Sequence, residues 1–453
     1  MRRVAQIEAP WREPAQVLSA LAEEAWSLCL LSGGGGGRGR WSYLAARPHR
    51  VLVVEAREEV DPFRALADLI PEGEVLADGP PFQGGVAGLA AYELGARAQG
   101  LALASHPAWP HLAVGLYRAV LAFDHQDRRL LAIGRGDSEA AARDHARALL
   151  EALDQAASAR TLPSPLAGPM AASSAEAYEA AVAEVVNRIA AGEIFQANVA
   201  RRWTGTLAAG AAPYDLFASL ARDSAAPFAA YLRLPGAAVV SNSPERFVAL
   251  RRTAEGLVAE TRPIKGTRPR GADPAEDAAL ASELLASPKD RAENLMIVDL
   301  MRNDLARVCR PGTVRTPELF AIESFANVHH LVSTVTGVLQ AGQGAGDLLR
   351  ATFPPGSITG APKIQAMKVI AGLEPPRGPY CGSIFWAGVD GAFDSSVLIR
   401  TAACVQSSEG WQVEAGAGAG IVADSDPRAE RLETEAKISA LLAALSSGPG
   451  SVA

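Results

Sequence analysis

The sequence predicts a large mixed α/β fold, and three observations favour it. The chain has 453 residues, which is enough for two domains or for one large α/β body with a deep core. Hydrophobic residues make up 49% and charged residues 21%, proportions that are typical of a globular protein. Short apolar runs bounded by turn residues occupy the first third, and strand-like runs alternate with longer helix-like segments in the rest.

The composition disfavours several classes of function. The formal net charge is −7, so we expect no nucleic-acid partner. The four cysteines form no Cys-x-x-Cys pair, which favours reduced thiols over disulfides or a zinc site. The first residues carry charges where a signal peptide needs apolar side chains, and no apolar run reaches 18 residues. We therefore expect a cytoplasmic protein with no membrane partner.

The first 130 residues read as strands separated by turns. Residues 51–55, 112–117 and 120–123 are apolar runs bounded by Gly, Pro or Asp, which predicts β-structure. The five glycines at 33–37 follow a strand-like run but do not precede a helix. We therefore predict a flexible surface loop there and not a phosphate-binding loop.

A change of composition predicts the main boundary of the chain. Residues 138–155 form an Ala-rich segment of high helix propensity, and an Ala-, Ser- and Pro-rich stretch follows it. We predict an N-terminal α/β subdomain over 1–160, a linker over 161–173, a catalytic domain over 174–446 and a flexible tail over 447–453.

The segment after the boundary opens with a helix and then alternates strands with helices. Ser173 to Glu176 resembles a capping box, and apolar residues follow at helical spacing from Tyr178 to Ile189. Predicted strands and helices then follow in turn; the strands are 228–234, 238–241 and 247–251, and the helices are 276–285, 290–308, 362–371 and 427–444.

Two pairs of acidic residues are candidates for holding a metal ion. Asp290 and Glu293 lie three residues apart on a predicted helix, as do Glu430 and Glu433, so each pair shares one helix face. Mg²⁺ suits a few carboxylates, retained water and an anionic substrate. The alternative is a solvated helix face, and spacing alone leaves both interpretations open.

Several other polar or glycine-rich features point to an anion-binding site. The small residues at 416–420 allow a ligand to approach backbone N–H groups, although a tightly packed strand is an equal alternative. Arg400 ends a strand-like run and is suited to bind a carboxylate. Residues 356–362 place hydroxyl groups before a helix start.

Histidine and lysine positions carry weaker signals. His329 and His330 are neighbours in a predicted strand, so only one of them enters a given pocket, and a structural role is the alternative for that one. Lys437 follows Glu433 by four residues, a spacing that is typical of surface ion pairs. The sequence contains no Gly-x-Ser-x-Gly, P-loop or His-Glu-x-x-His motif, so hydrolase, nucleotide-triphosphate and zinc-protease functions lack support.

The order of these motifs resembles one family, the chorismate-utilising enzymes, from about residue 173 to 445. The stretches that carry the resemblance are 194–198, 243–247, 262–270, 290–304, 330–333, 356–363, 380–383, 399–401 and 417–425, with a weaker match at 40–44. The resemblance implies an α+β fold in which large, mostly antiparallel sheets pack face to face with helices outside. It also implies that the site opens between the sheets.

The resemblance assigns roles to individual residues. It implies that Lys265 is a covalent nucleophile and Glu245 the general acid. It implies Mg²⁺ held by Glu293 and Glu433, with Asp290 and Glu430 binding its water molecules. The implied substrate-binding residues are Gly266, Thr267, His330, Ser357, Tyr380, Arg400, Gly418, Ala419, Gly420 and Lys437.

Two residues indicate which branch of the family the chain resembles. Lys265 is similar to the lysine of the aminodeoxychorismate synthase component I branch, whereas the anthranilate synthase component I branch has alanine there. Gln196 stands where isochorismate- and salicylate-forming relatives carry a lysine base that activates water. The resemblance thus implies amination of chorismate to 4-amino-4-deoxychorismate, in para-aminobenzoate and folate synthesis.

The resemblance also implies a partner and leaves two alternatives. No cysteine lies in the Gly-rich elbow of a glutamine amidotransferase, so we expect ammonia from a separate glutaminase subunit. The first alternative is anthranilate synthase component I, in tryptophan synthesis. The second is a non-catalytic regulator that binds chorismate or tryptophan.

Two departures from the family pattern affect regulation and one loop. Pro355 replaces a common glycine in the segment before Ser357, and residues 224–228 lack the Asn-Pro-x-Pro-aromatic pattern that lines a tryptophan pocket in relatives. We therefore expect no strong feedback control by tryptophan. A structural tryptophan site remains an alternative, and its candidate residues are Ser32, Ser42, Tyr43, Pro227 and Phe228.

Overall fold

The computed structural model describes residues 1–32, 39–154, 165–325 and 328–446. The predicted glycine loop at 33–37, the first part of the predicted linker and the tail at 447–453 lie outside the described residues. Within the described ranges, no helix is long and apolar enough to cross a membrane.

Short strands and helices follow one another along the whole chain. The strands are β1 (Arg3–Ala9), β2 (Leu28–Leu31), β3 (Trp41–Ala45), β4 (Arg50–Val54), β5 (Gly85–Ala90), β6 (Leu112–Tyr117), β7 (Ala119–Asp124), β8 (Arg129–Gly136), β9 (Ala171–Ala172), β10 (Gln196–Thr206), β11 (Phe228–Leu234), β12 (Ala237–Ser243), β13 (Arg246–Thr253), β14 (Gly256–Thr261), β15 (Ile264–Pro269), β16 (Arg315–Ser324), β17 (Val328–Val338), β18 (Gly360–Ala361), β19 (Ser383–Gly388), β20 (Phe393–Ser396), β21 (Thr401–Ser407) and β22 (Gly410–Ile421). The helices are α1 (Pro14–Leu18), α2 (Pro62–Leu69), α3 (Leu94–Ala98), α4 (Glu139–Asp154), α5 (Ala175–Ala190), α6 (Pro213–Ser224), α7 (Pro274–Ala286), α8 (Pro288–Ala306), α9 (Ala345–Thr352), α10 (Lys363–Leu373) and α11 (Pro427–Ser446). A short 3₁₀ turn covers Gly356–Ile358.

Two antiparallel sheets build the body of the protein. The first has the order β1-β8-β7-β3-β2-β11-β12-β21-β22-β10-β18, with β9 beside β10. The second has the order β15-β17-β14-β13-β20-β19-β5-β6-β4, with β16 beside β17. One core cluster contains residues of both sheets, such as Val239 of the first and Trp386 of the second, so the sheets pack face to face.

The helices cover the outer faces of the two sheets. One core cluster joins α4, α6 and α11 to the first sheet, and another joins α2, α8 and α9 to the second. This arrangement confirms the predicted α+β class with large antiparallel sheets and outer helices. The sequence-predicted strands at 112–117 and 228–234 coincide with β6 and β11.

Both sheets combine strands from the two sides of the predicted linker. In the first sheet β2 pairs with β11, and in the second β5 pairs with β19. Residues 1–160 and 174–446 therefore share their sheets and their core. The division of the chain at 161–173 stays a prediction.

The start of α5 differs by one residue from the capping box suggested by the sequence. Ser174 caps the helix, because its side chain accepts a hydrogen bond from the Ala177 N–H at 3.0 Å. Its hydroxyl also donates to Glu176 at 2.8 Å. Ser173 instead extends the strand pairing, since its N–H donates to the Arg202 carbonyl. Ser173 therefore pairs with the edge of β10, and Ser174 caps the helix.

A buried ion pair fixes α8 to the beginning of α10. Lys363 Nζ donates to Asp304 Oδ2 at 2.5 Å and to the Thr352 carbonyl at 2.5 Å. The side chains of Lys363 and Asp304 are 6% and 3% exposed. Removing one partner of such a pair leaves an uncompensated buried charge.

We predict that Lys363→Met lowers the free energy of unfolding by about 3–5 kcal/mol, because Asp304 is left buried without its counter-charge. Urea unfolding measures this loss. Lys368→Met, at an exposed position of the same helix, is the control and should change stability by less than about 0.5 kcal/mol. A loss for Lys363→Met as small as that of the control would contradict the argument.

Candidate active site

Glycines of β22 form the floor of the candidate site. Gly416, Gly418 and Gly420 alternate along the strand and pair with β10, so they face the same side of the sheet. A Cβ at Gly416 would lie 2.8 Å from the Tyr380 ring, and one at Gly418 would lie 2.6 Å from Asn198 Oδ1. The absence of side chains at these positions therefore lets polar side chains approach the sheet.

Lys265 reaches the same floor from the opposite sheet. It lies on β15, and its Nζ is 3.4 Å from where a Cβ of Gly420 would be. Gly266 has a φ of +82°, and a Cβ there would lie 2.9 Å from the Asp290 carboxyl group. The glycine thus lets the backbone of β15 turn close to α8, which places Lys265 above β22.

Burial makes the Lys265 amine easier to deprotonate. Desolvation lowers the pKa of Lys265, while the carboxylate of Glu293 acts in the opposite direction and Lys437 lowers this pKa further. A buried lysine with a lowered pKa is a stronger nucleophile at neutral pH, because more of it is a free amine.

Glu245 lies directly before β13 and is held by a hydroxyl group. Ser357 Oγ donates a hydrogen bond to Glu245 Oε1 at 2.7 Å. Burial raises the pKa of Glu245, and the Ser357 hydrogen bond and the charge of Lys265 oppose this rise. Apolar side chains that include Phe247 and Ile297 line a small void beside it. The carboxyl group is therefore suited to keep a proton.

The two predicted acidic pairs lie on α8 and α11 as expected from their spacing. On α8, Asp290 accepts from Arg268 at 3.3 Å, and Glu293 lies 4.0 Å from Lys289. On α11, Glu430 accepts from the Ser425 hydroxyl at 2.7 Å, and Glu433 pairs with Lys437 at 2.6 Å. Each carboxylate therefore already contacts one donor or cation of the protein.

The carboxylates of the two helices act on one another. Burial raises the pKa of Glu293, with Asp290 and Glu433 adding to the rise, and burial also raises the pKa of Glu430. In the part of the chain that the structure describes, no group of three or more His, Cys, Asp or Glu side chains is drawn together as a metal site. The donor set nonetheless fits Mg²⁺ in its chemistry, since it consists of carboxylates whose mutual repulsion a divalent cation would relieve.

Lys437 connects the acidic helix to the site floor. Besides Glu433, its Nζ donates to the Gly418 carbonyl at 3.0 Å. Lys437 therefore forms the ion pair that its spacing suggested and also contacts the glycine-rich strand of the site.

The two adjacent histidines face opposite sides of β17. His330 Nδ1 lies 2.9 Å from Thr267 Oγ1, and burial lowers its pKa, which favours the neutral imidazole. His329 is 2% exposed and contacts Asp277 and Ser324 at 2.9 and 2.8 Å. Only His330 is therefore available to the site, while His329 has a structural role.

Arg400 adds a cation whose charge acts on Glu245. Its side chain is accessible to solvent, yet the surrounding protein desolvates the guanidinium enough to lower its pKa, against the effect of Glu245. Its φ is +51°, which turns the chain between β20 and β21. An accessible guanidinium near a half-buried acid is suited to bind a carboxylate of a ligand.

Two amide side chains of β10 complete the site. Gln196 and Asn198 are 1% and 6% exposed, and a Cβ at Gly420 would lie 2.5 Å from Gln196 Nε2. Neither end of the Gln196 amide nor Asn198 Oδ1 has a hydrogen-bond partner among the described residues. Because buried polar groups are normally paired, these atoms indicate a ligand-binding surface. In the sequence, Gln196 indicates only the branch of the family, and Asn198 carries no signal of its own.

A separate cavity of about 560 Å³ lies at the sequence-predicted tryptophan pocket. Ser32, Tyr43, Pro227 and Phe228 line it, whereas Ser42 lies behind them and accepts a hydrogen bond from the Ser32 N–H at 2.9 Å. Whether tryptophan binds there stays a prediction.

The arrangement combines groups for one type of chemistry. The amine of Lys265 is suited to attack an electrophilic carbon, and the carboxyl group of Glu245 is suited to protonate a leaving group. Arg400 and the acidic helices add positions for a ligand carboxylate and for a cation. The site therefore fits an anionic substrate that loses a poor leaving group such as hydroxide.

Comparisons with known proteins find a matching family, similar sequences and a similar fold. Residues 30–443 match the family described as chorismate binding enzyme. Aminodeoxychorismate synthase component 1 of Klebsiella aerogenes is 40% identical over 98% of this chain and 99% of its own length. Anthranilate synthase component 1 of Streptomyces coelicolor is 40% identical over 90% of this chain and 81% of its own length. The crystal structure of anthranilate synthase component I from Streptococcus pneumoniae has a TM-score of 0.77 at 26% identity, covering 90% of this chain and 93% of that chain.

We predict that Gly416→Ala destabilises the protein by about 1–3 kcal/mol, because the added Cβ overlaps the Tyr380 ring. Urea unfolding of this variant, of Tyr380→Ala and of the double variant measures the effect: the loss that Gly416→Ala causes in the Tyr380→Ala background should be smaller than in the wild-type chain. Gly372→Ala, at a helical glycine with open space around its Cβ position, is the matched control. An equal loss with and without the Tyr380 ring would contradict the proposed contact.

Proposed function

The chain belongs to the family of chorismate-binding enzymes, and on this premise we propose that it aminates chorismate to 4-amino-4-deoxychorismate as component I of an aminodeoxychorismate synthase. The observation that carries the proposal is the half-buried Lys265, whose amine lies beside Gly420 on the face of the site. The relative from Klebsiella aerogenes, which bears that name, is similar over nearly the full length of both chains.

The first step uses Lys265 and Glu245. The neutral amine attacks C2 of the chorismate ring, the two conjugated ring double bonds shift towards C4, and the C4–O bond breaks. Glu245 gives its proton to the departing hydroxide, so that water leaves and Lys265 stays bound to C2. The opposite pKa shifts of the two residues support this assignment, since one must begin as a free base and the other as an acid.

The second step exchanges the lysine for ammonia. Ammonia attacks C4, the two ring double bonds shift back, and the C2–N bond to Lys265 breaks. The lysine bonded to C2 is a secondary ammonium, so it leaves as the neutral amine, and the new ammonium group at C4 returns a proton to the Glu245 carboxylate. Two displacements of this kind replace one direct exchange of hydroxide for ammonia.

The charged groups around the lysine would hold the substrate. Glu293 and Glu433, with Asp290 and Glu430 binding retained water, would hold Mg²⁺, which neutralises the ring carboxylate when bound. Arg400 and Tyr380, with the backbone from Gly418 to Gly420, would bind the enolpyruvyl side chain and its carboxylate. The remaining proposed contacts are Gly266, Thr267, His330, Ser357 and Lys437.

The nitrogen source is part of the proposal. The relatives are called component 1, which implies a second component in their complexes. We assign to that second component the hydrolysis of glutamine, and this chain would take up the ammonia. Ammonium at high concentration should replace it in solution.

Anthranilate synthase component I is a second candidate. The Streptomyces coelicolor relative of that name is also 40% identical to this chain. Amination at C2 would then need no covalent lysine, so the product distinguishes the candidates. A non-catalytic regulator is less well supported, because Glu245, Lys265 and both acidic pairs are all present in one site.

The purified chain should convert chorismate to 4-amino-4-deoxychorismate when Mg²⁺ and ammonium are supplied. Mass spectrometry identifies the product, which should become para-aminobenzoate only after an aminodeoxychorismate lyase is added. Lys265→Ala should abolish this product, whereas Lys368→Ala, at an exposed lysine of α10, should retain it.

Other outcomes have clear meanings. Fluorescent anthranilate from the wild-type chain would support the second candidate and refute amination at C4. Unchanged chorismate in the presence of ammonium and Mg²⁺ would refute catalysis by the chain alone and support a regulator.

A further inference from the structure

Arg377 lies buried between several segments that carry the site. It follows α10 and is 3% exposed. Its Nη1 donates to the Ile358 carbonyl at 2.9 Å, and its Nη2 donates to the Asn198 carbonyl at 2.7 Å. One guanidinium group thus joins the 3₁₀ turn at Gly356–Ile358 to β10.

The charge of Arg377 is fully matched inside the protein. Glu374 accepts from Nη2 at 2.7 Å and from Nε at 3.2 Å, so this ion pair has two hydrogen bonds. The guanidinium also lies 4.6 Å from the centre of the Tyr92 ring. Glu93 accepts the Arg377 backbone N–H at 2.6 Å, which fixes the loop itself.

Each segment that Arg377 holds carries a residue of the candidate site. Ile358 follows Ser357, whose hydroxyl binds Glu245. Asn198 faces the glycine floor of β22, two residues after Gln196. The Arg377 guanidinium also lies 6.0 Å from the Tyr380 ring, at the margin of a cation–π contact.

We propose that Arg377 is a positioning residue for the reaction, which acts by holding the Ser357–Glu245 pair, β10 and Tyr380 in one arrangement. The inference rests on the proposed function, because these groups are its acid and its substrate contacts. Arg377 itself is behind the site and has no role in bond making.

Lysine cannot reproduce this arrangement. The planar guanidinium directs donors to two carbonyl groups and two carboxylate oxygens at once, whereas an ammonium group has three donors at one point. Arg377→Lys keeps the positive charge but loses some of these hydrogen bonds. It therefore tests geometry separately from charge.

Arg135 provides a matched control. It is 0% exposed, and its guanidinium also donates to backbone carbonyls, those of Gln83 at 3.1 Å and Glu74 at 2.5 Å. None of its recorded partners is a residue of the proposed site. A general effect of losing a buried arginine should thus appear equally in Arg135→Lys.

The test compares kcat and KM for chorismate, with saturating ammonium and Mg²⁺, together with thermal stability. We expect Arg377→Lys to lower kcat by about 10–100-fold, the range observed when a supporting side chain behind a site is lost. Arg135→Lys should lower thermal stability to a similar degree while kcat changes by less than about twofold.

A chemical rescue separates positioning from folding. A cavity of about 210 Å³ lined by Arg377, Glu374 and Tyr380 gives a small cation access to the vacated position. Guanidinium, at concentrations that leave thermal stability unchanged, should restore part of the kcat of Arg377→Ala and leave the kcat of Arg135→Ala unchanged.

Equal kcat values for Arg377→Lys and Arg135→Lys, with losses only in thermal stability, would overturn the inference. If Arg377→Ala does not fold, the kcat of Arg377→Lys tests the inference by itself. If the wild-type chain forms anthranilate, the proposed function fails, but the same comparison of variants then tests Arg377 on that product.

Discussion

The close approach of polar side chains to the backbone of β22 is the constraint on which the site depends. Gly416, Gly418 and Gly420 lie on one face of the first sheet, and Tyr380, Asn198 and Gln196 occupy the space that side chains there would fill. Lys265 reaches the same floor from the second sheet. Because the two sheets pack face to face, the space above the three glycines lies between them. Groups that are distant in sequence come close together in that space.

Burial then gives the site its chemistry. Lys265 and Glu245 are desolvated together, and desolvation shifts their pKa values in opposite directions, each towards the neutral form. The carboxylates on α8 and α11 add negative charge, which Lys437 and Lys289 balance in part. A divalent cation and an anionic substrate would complete that balance.

The local pattern of apolar residues predicted most helices and strands, but it could not predict which strands pair with one another. Apolar runs located β6 and β11 at their full lengths, because a strand with a buried face is a local signal. The pairing of β2 with β11 joins segments about 200 residues apart, and nothing in either segment specifies it. The resemblance of motifs supplied the antiparallel architecture that periodicity alone left open.

The residues of the candidate site could be predicted from the sequence where they belong to a recognisable motif. Gly266 could be understood only once its φ of +82° and its approach to Asp290 were known. Asn198 and Arg377 gave no separate signal, because a single amide or arginine in a sequence does not show that it is buried. Their roles follow from burial and hydrogen bonding, which depend on tertiary structure.

The central claim is that Lys265 forms a covalent bond to the substrate. The most direct measurement is peptide mass spectrometry of the chain after incubation with chorismate and Mg²⁺ without ammonium. We predict a mass increase on the peptide that contains Lys265 equal to chorismate less one water, and its loss when ammonium is added. An unmodified Lys265, together with full formation of 4-amino-4-deoxychorismate by Lys265→Ala, would contradict it.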